Sequence, residues 1–205
     1  RLVDLHGIPA GLHGDEGWMG IEARRILQDG PIGIWSPSAL GQPAGPFYWT
    51  ALVFLFLKPG IESVRLSTAL LGALTIPAAY LFYRVLFGPR VAFLGAALLG
   101  VGFWHLVYSR VAFPPVALPL VEAAAFAALF VAFKRDTLPA YLIAGGLLGL
   151  GVYTYIPYPF LGLGVAVFLV GWAVVEIARR RDWKKIGLRL GALAIGGLAV
   201  GGPFL

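Results

Sequence analysis

The stretch that decides the fold is Arg65–Arg90, "RLSTALLGALTIPAAYLFYRVLFGPR". From Leu66 to Tyr83 it carries no charge, and Arg84, Gly88, Pro89 and Arg90 close it. Such a run approaches the roughly 20 apolar residues that cross a bilayer as a helix. Towards the C-terminus the same pattern recurs in Val91–Ser109 and in the uncharged stretch Thr137–Val175. Nothing alternates with period two, so strands of a membrane barrel are excluded. Composition agrees: of 205 residues, 59% are hydrophobic and 13% charged, where a soluble domain carries about a quarter charged. The reading is an all-α, polytopic transmembrane helix bundle.

Working outward, the candidate spans are 62–87, 91–109, 114–133, 137–153, 159–177 and 186–205. The turns between them alternate. "YRVLFGPR", "FKRD" and "ARRRDWKK" are basic, while "YSRVAFPP" and "YTYIPYP" are nearly neutral. Basic turns stay in the cytoplasm, so the chain preceding residue 62 faces outward. The net charge of +6 is accounted for by this topology and calls for no nucleic-acid partner. The chain holds no cysteine, which removes disulfides, thiol nucleophiles and thiolate metal sites. It opens on Arg1 and stops inside an apolar run, so a first span and a C-terminal part are expected beyond it.

Residues 1–61 read as an outer loop with two helices. In "DEGWMGIEARRILQDG", Asp15 suits an N-cap, Glu16 sits where the helix dipole favours an acid, and Gly30 stops the helix. Met19, Ala23, Ile26 and Leu27 share one face, which predicts an amphipathic helix over about 15–28 lying on the membrane surface. The apolar run Pro46–Leu57 is only 12 residues long before Lys58. That is short for a span and suits a juxtamembrane helix.

This topology collects polar residues from distant parts of the chain at one membrane level. Asp15, Glu16, Glu22, Arg24, Arg25, Tyr48, Lys58, Glu62, Arg65, His105, Tyr108 and Arg110 all fall at the outer face. Arginine gives bidentate phosphate contacts, a carboxylate can take a hydroxyl proton, and aromatic rings border sugars or lipid headgroups. A salt-bridged outer rim with an aromatic belt would contain the same residues. Glu122, two turns into a span, is costly in a bilayer and marks either a functional acid or a partner on a neighbouring helix. His6, His13 and Asp15 lack the tight spacing of a metal site. No phosphate loop or dinucleotide fingerprint is present.

The order "GDEGWMGIEARRIL", "GPFYWTALVFLF", "RLSTALLGALTIPAAYLFYRVLFG" and "PRVAFLGAALLGVGFWHLVYSR" resembles the N-terminal half of GT-C membrane glycosyltransferases. The similar families are the protein-O-mannosyltransferases and aminoarabinose transferases, of glycosyltransferase family 39 type. The resemblance implies an inverting enzyme of the cell membrane. It would move a sugar from a polyprenyl-phosphate donor to a lipid, protein or glycan acceptor on the extracytoplasmic side. Asp15 would match the essential acid and act as general base, and Glu16 its neighbour. Arg65 and Arg110 would hold the lipid-linked phosphate, with Tyr48, Lys58, Tyr108 and Glu122 as further substrate contacts. The residues single out no cofactor, and the paired acids leave a divalent cation open. Where some of these families place a second acid after the outer end of the 91–109 span, this chain has Pro114 and Pro115. A secondary transporter would instead need midplane charge or repeated halves. A non-catalytic lipid-binding subunit would keep the fold without transfer.

Overall fold

The computed structural model describes residues 2–36, 38, 41–179 and 182–204. Arg180 and Arg181 of the most basic turn, and Leu205 of the last expected span, lie outside the described residues. Nine α-helices are described: α1 (Gly14–Asp29), α2 (Gly45–Phe54), α3 (Ile61–Phe87), α4 (Pro89–Val101), α5 (Phe103–Arg110), α6 (Ala117–Arg135), α7 (Leu138–Leu150), α8 (Tyr158–Ala178) and α9 (Trp183–Gly201). No strand occurs among the described residues, and the fold is an all-α membrane bundle. α3, α6 with its preceding turn, and α8 are each long and apolar enough to cross a membrane.

The continuous helix expected over 91–109 is instead two. α4 and α5 meet at a bend of 54°, because Gly102 leaves helical geometry at φ −59° and ψ 124°. Counted as one broken span, the pair is a fourth crossing. Of the two remaining segments read as spans, α7 is 13 residues long, and α9 carries Lys184, Lys185 and Arg189 in its first two turns.

The termini of these helices sort into two ends. At one end α6 reaches α3 through Lys134, whose ammonium donates to the Val85 carbonyl. There Arg189 of α9 also pairs with Asp136 in the α6–α7 turn. That end holds the basic turns. The opposite end carries α1, α2 and the first turn of α3. α2 is pinned to α3 by the Trp49 indole N–H, which donates to the Ser67 carbonyl at 2.8 Å, and by Thr50 and Ser67 hydroxyls 2.9 Å apart.

Small residues set the helix spacing. A Cβ on Gly145 of α7 would strike the Leu193 carbonyl of α9, and one on Gly196 the Leu142 carbonyl. In lipid, where hydrophobicity gives no drive to associate, this backbone approach is what packs helices. Gly72 of α3 similarly admits Ser109 of α5, and the His105 ring nitrogen Nε2 lies 3.1 Å from the Gly72 carbonyl.

The expected surface helix is packed differently from its sequence reading. Met19 and Ala23 of α1 are buried against Phe47, Ala51 and Phe54 of α2 and Val64 of α3. Trp18 meets Phe47 edge-on at 5.3 Å. Met19 and Ala23 of the apolar stripe are therefore covered by protein, and of the large hydrophobic side chains of α1 Ile21 and Leu27 remain exposed.

Candidate active site

The start of α1 separates the two adjacent acids. His13, not Asp15, is the N-cap: its Nδ1 accepts from the Asp15 N–H at 3.3 Å, and the Glu16 carboxylate accepts from the His13 N–H at 2.9 Å. Asp15 thus lies inside the first turn with its side chain 45% exposed and Oδ2 3.4 Å from His13 Nδ1. Glu16, one residue on, is 1% exposed.

Glu16 faces Arg65, whose own side chain is 0% exposed. The guanidinium grips the carboxylate with both edges, Nε to Oε1 at 2.7 Å and Nη2 to Oε2 at 3.0 Å. Its remaining donors go to the carbonyls of Leu5 and Pro9 at 2.9 Å, His6 at 3.3 Å and Gly11. The Ala112 N–H also donates to Glu16 Oε1 at 3.2 Å. One ion pair therefore ties together α1, α3, the segment following α5 and the N-terminal loop. Arg110, expected like Arg65 at a phosphate, donates to the Asp4 and Ile8 carbonyls of the same loop at 3.0 and 2.8 Å. Arg65 has no accessible guanidinium edge for a ligand, so its expected phosphate contact has no support in this geometry.

Burial works to raise the Glu16 carboxyl pKa, but the Arg65 guanidinium and the His13 and Ala112 N–H groups outweigh it. The group lies below its ordinary 4.5. A carboxylate with a depressed folded-state pKa contributes stability above its unfolded pKa and loses it as pH falls through the folded value. The thermal midpoint of the protein in detergent should hold from neutrality to about pH 4.5 and then fall. In Glu16→Gln the drop below that pH should be smaller, and an equal drop in both proteins would place the titrating group elsewhere.

The other expected contacts are distributed around this end or away from it. Tyr108 is 41% exposed and stacks between Trp104 and Phe113, with ring centroids 5.9 and 5.5 Å away. Tyr48 packs against the α1–α2 core and donates from its hydroxyl to the Gly33 carbonyl at 3.0 Å. Lys58 is exposed in the α2–α3 connection. Next to it a groove of about 250 Å³ runs between α1 and that connection, lined by Gly17, Gly20, Arg24, Phe54 and Pro59 among others. Glu122 stands apart, in a cavity of about 240 Å³ between α3, α4 and α6 with Thr75 and Tyr83. His6 lies 3.8 Å from Glu62 and not with His13; among the described residues no three His, Asp or Glu side chains gather as metal ligands.

Glu22, collected at the outer face by its sequence position, is a buried acid rather than an exposed one. Glu22 is 1% exposed and accepts from the Ser36 hydroxyl at 2.7 Å and from Ser38. Its fixed hydrogen bonds hold the loop after α1 onto the helix. The readable signal is its position one residue from Ala23 and three from Met19, on the buried side.

Residues 41–203 match the model of the dolichyl-phosphate-mannose-protein mannosyltransferase family, and the chain belongs to that family. The family is one of membrane glycosyltransferases of GT-C type, and the α-helical membrane bundle is consistent with it. Membership implies a lipid-linked sugar donor and a membrane setting. The match begins after α1, so Asp15 and Glu16 lie ahead of it. Comparisons with curated proteins and with solved structures give no match.

Proposed function

We propose that the protein transfers a sugar, with inversion, from a polyprenyl-phosphate donor to an acceptor hydroxyl at the extracytoplasmic face of the cell membrane. Asp15 is the general base. The acceptor oxygen bonds to the anomeric carbon as the carbon–oxygen bond to phosphate breaks, and the hydroxyl proton passes to the Asp15 carboxylate. The polyprenyl phosphate departs as an anion needing little protonation, so one base suffices where glycosidases use two carboxylates. The observation that carries the reading is the split between the neighbouring acids. Glu16 is consumed by Arg65, while Asp15 keeps an accessible carboxylate on a rigidly tied helix start.

Arg65 in this account is a positioning residue, holding α1 against α3. Lys58 and Arg24, both exposed beside the groove at this end, are better placed than Arg65 to meet a phosphate. The test of the donor class uses the full-length protein in membrane vesicles. A labelled polyprenyl-phosphate sugar should pass its label to an acceptor after nucleotide sugars are washed out, and the product should carry the opposite anomeric configuration. Transfer that needs a nucleotide sugar, or that retains configuration, would overturn the proposal.

A further inference from the structure

At the basic end, a groove of about 690 Å³ opens between α7 and α9. Its walls are Leu138 and Leu142 on one side and Leu188 and Ile195 on the other. Its floor passes over Gly187 and Gly191, where an added Cβ would meet nothing within 4 Å. Trp183, 69% exposed, and Lys184 stand at its mouth, with the ammonium 5.8 Å from the ring centre. Lys185 is exposed beside them.

The acids nearby are already engaged. Asp182 accepts from the Lys184 N–H at 2.9 Å, Asp136 is paired with Arg189, and Glu176 lies 3.9 Å from Arg179. The two lysine ammoniums have no carboxylate partner among the described residues. The other apolar grooves among the helices, between α3, α6 and α8 and between α7, α8 and α9, have no cation in their lining. This one combines an apolar lining with a tryptophan and a lysine at its mouth and a second exposed lysine next in the chain.

We infer that the α7–α9 groove binds an anionic glycerophospholipid, one acyl chain lying along Gly187 and Gly191 and the phosphate meeting Lys184 and Lys185. Tryptophan favours the headgroup layer, and a lysine near an anionic membrane surface strengthens binding roughly fivefold. The site lies at the opposite end of the bundle from Asp15 and is independent of the transfer reaction.

The test places the full-length protein in phosphatidylcholine vesicles containing a trace of photoreactive phosphatidylglycerol or photoreactive phosphatidylcholine. The phosphatidylglycerol probe should label peptides containing Leu138–Leu142 and Gly187–Ile195 several-fold more than the phosphatidylcholine probe. Lys184→Gln with Lys185→Gln should bring that several-fold preference down to near equality. Gly191→Leu, which fills open space, should abolish labelling by both probes without lowering the thermal midpoint. Equal labelling by the two probes, as an ordinary boundary lipid would give, overturns the inference. So does a preference untouched by the lysine changes, or the absence of any labelling here, as a second copy covering the groove would give.

Discussion

Arg65→Met should cost about 3–5 kcal/mol, the usual loss when one partner of a buried ion pair is removed, and should free the loop from Leu5 to Gly11. The side chain is fully buried and makes contacts with Glu16 and four backbone carbonyls. Methionine preserves much of the volume but leaves the Glu16 carboxylate in the interior with only the His13 and Ala112 N–H groups. Arg65→Lys should fall between, since an ammonium keeps the charge but cannot span both carboxylate oxygens and the loop carbonyls together. Thermal unfolding in detergent reads the stability, and limited proteolysis reads the loop. Protease cutting should concentrate before residue 14 in the methionine variant. A midpoint and cutting pattern equal to wild type would mean that the pair is not what closes this end of the molecule.

Asp15→Asn should instead leave the fold intact and lower sugar transfer by about 10²–10⁴-fold, the range general-base catalysis supplies. Its side chain is 45% exposed, and the helix is capped by His13 and Glu16 rather than by Asp15. Asparagine keeps the size and loses the proton acceptor. The contrast with Glu16→Gln is the informative part. Asp15→Asn should lose activity at unchanged stability, whereas Glu16→Gln should lose stability first, and activity only as far as the loop and α1 come loose.

The membrane bundle was legible because long uncharged runs and alternating basic turns leave few other folds open. The bend at Gly102 was not, since the sequence around it stays apolar on both sides and only backbone geometry interrupts the helix. At the site, an acidic pair at the start of α1 was readable, but the division of its labour was not. Glu16 lies three residues before Met19 and seven before Ala23, so helical periodicity places it on the buried stripe with them. An acid there requires a buried cation, and Arg65 is the first basic residue of the apolar helix that packs behind. Read that way, Arg65 was a structural partner before it was a phosphate ligand. What periodicity could not supply is the route of the N-terminal loop, whose carbonyls complete the guanidinium's contacts through separations of more than fifty residues. The stripe of α1 carries the same ambiguity: an amphipathic pattern does not say whether lipid or another helix will cover it, and here α2 and α3 cover Met19 and Ala23.

The central claim is that of two neighbouring acids one performs chemistry and the other holds the structure. The most direct test measures initial rates of sugar transfer from labelled polyprenyl-phosphate donor, and thermal midpoints, for full-length wild type and Asp15→Asn from the same membrane preparation. The account predicts an unchanged midpoint with transfer lowered by at least about a hundredfold. Transfer near the wild-type rate in Asp15→Asn would contradict it, and would leave Asp15 as a solvated residue in the first turn of a structural helix.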